Sequence, residues 1–305
     1  SSDLENIIRK LIYGVVCFLM LLTVLGALSK GAWLILIAGI ILLVIGMPGI
    51  YRFRSVFYLG VAAGAAALTA SRFIPVVTGE NPSAGLALLW LGLVIVIAGQ
   101  AIWEVLAFSY RKNRSVTIAA GLVLLVIVAY MQPVKMDKII SITPEAVGTE
   151  LQEIVDLQGT SYQARHDFVR WGMAIVKDHP VVGTGAGGWN ALYHQYQDYL
   201  TYTTEAHNHF LQVWVEAGTL GFMAFMAMWV LLLLSILRLH RNYKNKIRSA
   251  PDSQQITQNW VLNWGVSSAA LAFGMHAAMD FDLSLMALAL VLWVFFALVN
   301  AALVM

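Results

Sequence analysis

Charged residues and cysteines are scarce in this chain of 305 residues. Asp, Glu, Lys and Arg together form only 12% of it, 59% is hydrophobic, and the mean hydropathy is +0.73. Soluble domains contain about 25% charged residues, so this composition excludes that class and indicates a membrane protein with several spans. The single cysteine, Cys17, excludes a disulfide within the chain, and a net charge of +2 gives no indication of a nucleic-acid partner.

The apolar stretches predict an all-α membrane bundle with about eight spans. Each stretch is long enough to cross the hydrocarbon core of a bilayer, with allowance for short ends. The predicted spans are 8–28, 31–50, 55–73, 84–108, 115–131, 207–237, 259–279 and 283–303. They predict three segments, which are five N-terminal spans in 1–131, a large polar loop in 132–206 and three C-terminal spans in 207–305.

Basic residues predict the orientation of these spans, because cytoplasmic loops are enriched in Lys and Arg. The short loops on one side hold only Lys30 and Arg72. The other side carries Arg9, Lys10, Arg52, Arg54, Arg111, Lys112, Arg114, Arg238, Arg241, Lys244, Lys246 and Arg248. Both termini are therefore predicted to be cytoplasmic, and the loop 132–206 is predicted to lie outside.

The large loop is predicted to contain helices. Thr143-Pro144 is typical of a helix start, and a second helix is predicted over 161–178, where apolar residues recur at helical spacing until Pro180 ends it. An aromatic series then predicts a helix at the membrane interface that could also stack on sugar rings. The series consists of Trp189, Tyr193, Tyr196 and Tyr199.

His207 is the strongest candidate for catalysis. On an ideal helix Gly218 and Gly221 lie within roughly 40° of it, and such glycines let another helix approach closely. A helix N-terminus disfavours imidazolium, which predicts a neutral general base; the alternative is a buried histidine that caps the helix. Asn208 is a candidate substrate ligand. His209 points the other way, and a metal pair with His207 lacks a third ligand in view.

Three cations and a glycine-rich turn are candidates for binding pyrophosphate. Arg165 offers a guanidinium fork that matches phosphate oxygens, and Lys30 and Arg72 end their spans on the outer side. The alternative for all three is a long side chain that reaches the lipid headgroups. The segment 183–188, Gly-Thr-Gly-Ala-Gly-Gly, is interpreted as a flexible turn or a backbone nest, since a dinucleotide motif needs a preceding strand.

Acidic residues in and near the later spans have a structural interpretation. Asp280-Phe-Asp282 is interpreted as a polar cap on the last hairpin that helps to shape the substrate site. His276 precedes Asp280 by four residues, so these two are predicted to pair on one helix face. Glu104 and Glu216 are isolated acids within spans and are predicted to face protein or a cavity.

Several of these stretches resemble the O-antigen ligase/O-antigen polymerase family of bacterial membrane glycosyltransferases. The segment 28–34, Leu-Ser-Lys-Gly-Ala-Trp-Leu, is similar to the family's Ser-Arg-Gly-Ala-Trp, with Lys30 where arginine is usual, so the charge is kept but the bidentate geometry is not. The segment 165–189 resembles the loop helix and the Pro/Gly turn of the family. The family's histidine motif is matched by His207-Asn208, Gly218 and Gly221.

The resemblance implies an inverting, metal-independent, GT-C-like glycosyltransferase of the bacterial inner membrane. It would move a glycan from undecaprenyl pyrophosphate to a hydroxyl group of an acceptor, without a cofactor, and whether it acts as a ligase or a polymerase stays open. His207 would accept the proton, while Arg165, Lys30 and Arg72 would stabilise the pyrophosphate. Family members have more spans, which implies that N-terminal spans are missing here. The alternative is a transporter or flippase, although no inverted repeat is visible.

Overall fold

A computed structural model of the chain describes residues 2–77, 84–112, 160–251 and 253–304. Within these ranges every regular element is an α-helix or a short 3₁₀ segment, which confirms the predicted all-α fold. The helices are α1 (Ser2–Gly26), α2 (Lys30–Gly46), α3 (Gly49–Val77), α4 (Ala84–Lys112), α5 (Thr160–Asp178), α6 (Gly188–Leu192), α7 (His209–Ser249), α8 (Gln254–Ala277) and α9 (Met286–Val304).

Five of the described helices are long and apolar enough to cross a membrane, so the chain is a membrane protein. The crossing stretches are Ile8–Gly26, Gly49–Ser71, Gly85–Glu104, His209–Ser249 and Met286–Val304. The apolar α2 is shorter, with 17 residues, and α8 carries Asn and Ser within the predicted span 259–279. The predicted span 115–131 lies outside the described residues. The count of eight spans therefore stays a prediction.

Two compact units divide the chain. The first comprises Ser1–Lys30 and Phe53–Val155, and the second comprises Gly31–Arg52 and Asp156–Met305. The predicted segment boundaries at 131 and 206 stay a prediction. Residues 113–159 lie outside the described residues, and with them the boundary at 131 and the predicted helix start at Thr143-Pro144.

In the first unit α1 packs against α4. Phe18 is fully buried beside Gly92, where a Cβ atom would stand only 2.4 Å from the phenyl ring, so a glycine is needed for this approach. Lys10 Nζ donates to Glu104 Oε1 at 2.6 Å. Glu104 therefore faces protein, as predicted for an isolated acid within a span.

In the second unit α7, α8 and α9 surround an apolar core. Trp229 of α7 meets Phe296 of α9 edge to face, with ring centroids 5.3 Å apart, and both side chains are buried. The end of α2 packs onto α8, where the indole Nε1 of Trp264 donates to Leu43 O at 2.9 Å. Gly46 permits this contact, since a Cβ atom there would stand 1.9 Å from the Trp264 ring.

A second core lies between α5 and the first turns of α7. α5 begins at Thr160 and ends at Asp178, close to the predicted 161–178. Trp171 and Ile175 on its apolar face are 2% and 0% exposed. Gly172 brings the backbone of α5 against Leu211 of α7, where a Cβ atom would stand 2.7 Å from a leucine methyl group. This core holds α5 beside the N-terminal end of α7, where the candidate site lies.

The aromatic series does not form the predicted interfacial helix. α6 ends at Leu192, and Trp189 and Tyr193 are fully buried, with their rings stacked at 5.4 Å. Phe168 of α5 lies edge-on to Trp189 at 5.9 Å, so packing within the protein removes these rings from lipid and water alike. Trp189 was predicted to bind substrate. In this conformation neither face of its ring is open to a sugar.

Candidate functional site

A break in α7 and the glycine-rich turn before it shape the site. Gly218 has φ 64° and ψ −172°, which interrupts the helix. Such a break leaves carbonyl groups before it and amide groups after it without partners in the helix. The turn that follows α5 supplies the partners. These backbone hydrogen bonds run from Thr184 N to Val215 O (3.0 Å), from Gly185 N to Glu216 O (2.9 Å) and from Thr219 N to Pro180 O (2.9 Å).

Two glycines permit this contact between the turn and the helix. A Cβ atom at Gly218 would stand 2.3 Å from Val181 O, and one at Gly183 would stand 2.4 Å from Gly218 N. Both residues have a positive φ, 64° and 69°, which favours glycine. The turn is thus ordered against α7, which differs from the predicted flexible turn. Gly218 contacts this turn, which differs from the predicted approach of another helix.

His207 lies before α7 and not on it. The helix begins at His209, and Asn208 is its N-cap, whose Oδ1 accepts a hydrogen bond from Leu211 N at 3.0 Å. His207 itself has φ 48°, in the left-handed region. The predicted alignment of His207 with Gly218 on an ideal helix is therefore wrong. Asn208, predicted to bind substrate, satisfies an unpaired amide at the helix start.

His207 forms a pair with Asp280. Its Nδ1 lies 3.1 Å from Asp280 Oδ1, and the two side chains are 32% and 24% exposed. The imidazole lies between two aromatic rings, stacked on Phe168 at 5.8 Å and edge-on to Phe281 at 5.1 Å. Aromatic packing fixes the plane of the ring while the partial exposure keeps it within reach of a ligand.

Asp280 is held in its ionised form by its surroundings. Burial raises the pKa of its carboxyl group, but the hydrogen bond with His207, the backbone amide of Phe281 (2.9 Å) and the nearby imidazoles of His207 and His276 outweigh this effect, so the pKa lies below its usual value. The backbone carbonyl of Asp280 also accepts from His209 N at 3.2 Å. An ionised Asp280 is a suitable partner for the Nδ1–H of a histidine.

The predicted pair of His276 and Asp280 is wrong. α8 ends at Ala277, so Asp280 lies beyond the helix and the four-residue spacing does not apply. His276 Nδ1 instead contacts the carboxylate of Asp282. The turn between α8 and α9 thus gives one aspartate to each of two histidines.

Arg165 lies in α5, one turn before Phe168, and is half-buried. Residues three apart share a helix face, so the face of α5 that carries Arg165 also contacts His207 through Phe168. Lys30 begins α2 and is half-buried. Arg72 belongs to α3, and its side chain lies outside the described residues. For Lys30 and Arg72 the predicted contact with pyrophosphate stays a prediction.

The important residue that sequence reasoning missed is Asp280 as the partner of His207. The two are 73 positions apart, and no local spacing links them. The available signal was the pair of acids in Asp280-Phe-Asp282, which the sequence analysis interprets as a polar cap that helps to shape the substrate site. A short acidic turn that is predicted on the same side of the membrane as a candidate histidine is a reason to test each acid as its partner.

Comparison with known protein families gives a match over part of the chain. Residues 83–226 match the family described as O-antigen ligase. No curated protein matches the chain. The matched segment includes Arg165, the glycine-rich turn, His207 and the break at Gly218, whereas Asp280 lies beyond it. This match supports the predicted resemblance to the O-antigen ligase family for that part of the chain.

Proposed function

We propose that this chain transfers a glycan, with inversion, from an undecaprenyl-pyrophosphate donor to a hydroxyl group of an acceptor at the outer face of the bacterial inner membrane. The match of residues 83–226 to the O-antigen ligase family supports a lipid-linked glycan donor and an acceptor. The observation that carries the proposal is the partly exposed pair of His207 and Asp280. Such a pair is suited to removing a proton from a hydroxyl group.

Asp280 selects the nitrogen of His207 that accepts the proton. Its carboxylate accepts a hydrogen bond from Nδ1–H, which leaves the lone pair on Nε2. Nε2 takes the proton of the acceptor hydroxyl while the oxygen attacks the anomeric carbon. The bond from that carbon to the pyrophosphate oxygen breaks, and its electron pair leaves with the pyrophosphate. General base catalysis of this kind typically contributes about 10²–10⁴-fold in rate.

Cationic side chains stabilise the leaving pyrophosphate in this mechanism. Arg165 approaches from α5, whose Phe168 packs on the His207 ring, and its guanidinium can match two phosphate oxygens. Lys30 and Arg72 add positive charge at the outer ends of their helices. With these cations the transfer proceeds without a metal ion, as in a GT-C-like enzyme. In the proposed topology both termini lie in the cytoplasm and the segment 132–206 lies outside.

The experiment compares His207→Ala with His194→Ala, a matched change at an exposed histidine. In purified protein supplied with a lipid-linked glycan and its acceptor, we expect His207→Ala to lower the transfer rate by roughly 100-fold or more and His194→Ala to leave it unchanged. Normal transfer by folded His207→Ala protein would contradict the proposed role of His207 as the general base. Movement of the lipid-linked glycan without transfer would support the alternative, a transporter.

Arg165 is tested with the same assay. Arg165→Lys keeps the charge but loses the fork geometry, so we expect a fall in rate of roughly 10-fold or more. Arg170→Lys is the control, because Arg170 is exposed and bound to Asp167 and Asp198 on the surface of the protein. Equal rates for the two variants would contradict a role of Arg165 at the pyrophosphate.

A further inference from the structure

A polar cavity lies next to the His207 pair. Its volume is about 360 Å³, which is within the usual range of ligand pockets. Four segments form its walls: the first two turns of α7, the start of α6, the irregular segment that leads to His207, and the turn before α9. The side chains that matter for its chemistry are Asn190, Glu205, His209, Gln212, Glu216 and Ser284.

Helical spacing places three of these side chains on one face of α7. His209, Gln212 and Glu216 are three and four residues apart and line the cavity together. Glu216 was predicted to face protein or a cavity, and this prediction is confirmed. His209 was predicted to point away from His207, and this stays a prediction; its Nδ1 lies 3.4 Å from Ser284 Oγ.

The polar groups of the cavity are held in place before any ligand binds. Gln212 is 8% exposed; its Oε1 accepts from Ala206 N and its Nε2 donates to Glu216 Oε1, both at 3.3 Å. The backbone amide of Gly187 also donates to the Glu216 carboxylate. On the opposite wall Ser284 Oγ lies 3.4 Å from Glu205 Oε2. Such preorganised groups lose little conformational freedom on binding.

The lining selects a ligand rich in hydroxyl groups. Two carboxylates accept hydrogen bonds, while amide, imidazole and hydroxyl groups can donate or accept them. Among the residues that the structure describes, none that lines this cavity is Lys or Arg. A phosphate group would therefore meet two carboxylates without a compensating cation, whereas a neutral or amine-bearing sugar finds partners for each of its polar groups.

We propose that this cavity binds a sugar unit of the acceptor, an inference that rests on the proposed function. The donor sugar that reacts is attached to pyrophosphate and needs cations, and the described part of the lining supplies no Lys or Arg. The acceptor sugar needs only hydrogen-bonding groups and a hydroxyl group close to the base. The lining residues Glu205 and His209 flank His207 in the sequence. Ser284 belongs to the same turn as Asp280. A sugar in the cavity therefore lies beside the pair of His207 and Asp280.

Binding is tested without any transfer reaction. Saturation-transfer NMR on the purified protein uses glucose, galactose, glucosamine, N-acetylglucosamine and glucose 6-phosphate as probes. We expect a signal for at least one unphosphorylated sugar and none for glucose 6-phosphate. Glu216→Gln should weaken that binding roughly tenfold or more, because it replaces a charged hydrogen-bond acceptor by a neutral one.

A second variant tests the cavity independently, in case Glu216→Gln does not fold. Thr204 is exposed at the rim of the cavity, so Thr204→Phe fills the space without entering the core. Gln195→Phe adds the same ring at an exposed position outside the cavity and serves as the control. We expect Thr204→Phe to abolish sugar binding and Gln195→Phe to preserve it. Absence of binding for every sugar, or unchanged binding in Glu216→Gln and Thr204→Phe, overturns the proposal.

Kinetics separate this proposal from the proposed function. Glu216→Gln should raise the KM for the acceptor about tenfold with a smaller change in kcat, whereas His207→Ala should abolish transfer while sugar binding persists. If His207→Ala stops transfer but the cavity variants leave the acceptor KM unchanged, only the cavity proposal fails. If sugar binds in the cavity and His207→Ala still transfers glycan, only the proposed function fails.

Discussion

The turn between α8 and α9 supplies the aspartates of two histidine pairs that differ in their surroundings. His276 belongs to the regular helix α8 and is 18% exposed, with its Nε2 buried. His207 belongs to an irregular stretch before α7 and is 32% exposed. We therefore expect the two pairs to have different roles. His276 and Asp282 would hold the turn in place, and the more exposed His207 and Asp280 would face the substrate.

The largest expected effect comes from breaking one pair while keeping the other. Asp280→Asn removes the charge and lets an amide group donate to Nδ1, which moves the proton of His207 to Nε2 and blocks its role as a base. We expect kcat to fall roughly 100-fold to 10⁴-fold. Asp282→Asn is the control and should lower kcat less than about tenfold. Comparable losses in two folded variants would show that both pairs act in the chemistry.

A smaller effect is expected from the backbone contact between the glycine-rich turn and α7. In Gly218→Ala the new Cβ atom meets Val181 O at 2.3 Å at a φ of 64°, so we expect the protein to lose roughly 2–4 kcal/mol of stability. Gly265→Ala is the control, because open space surrounds that position in α8 and alanine favours a helix. Thermal unfolding in detergent or nanodiscs measures both. Equal unfolding temperatures would contradict the ordered turn.

A further effect concerns pH. The pKa of Asp280 is lowered in the folded protein, so its contribution to stability is fully present above the unfolded value and is lost as pH falls through the folded value. We expect the unfolding temperature of the wild type to drop below about pH 4, and the drop to be shallower in Asp280→Asn. Parallel pH profiles for the two proteins would contradict an ionised Asp280 bound to His207.

The smallest expected effect is that of metal removal. If Arg165, Lys30 and Arg72 stabilise the pyrophosphate, excess chelator should leave the transfer rate unchanged. The measurement is the rate in purified protein before and after chelation. Loss of activity that magnesium or manganese restores would place a metal ion at the acidic turn, and the difference between the two histidine pairs would need a new explanation.

Local features of this chain were predictable where helical periodicity alone decides the outcome. The bounds of α5 were close to 161–178, because apolar spacing and Pro180 are sufficient to define it. The isolated acids Glu104 and Glu216 were placed correctly, since an unpaired charge in lipid is too unfavourable to persist. The prediction of an interfacial helix from the aromatic series was wrong, because the same spacing fits a surface helix and a buried turn equally well.

The sequence by itself determined that this is an all-helical membrane protein and that His207 and Arg165 are its main candidates. Composition, hydrophobic periodicity and a short motif suffice for these because they are properties of neighbouring residues. Only the tertiary structure decided that Asp280 pairs with His207, that the turn 180–185 satisfies the break at Gly218, and that Trp189 is buried. Such contacts join residues far apart in the chain, and three-dimensional packing selects them from many partners of the same chemical type.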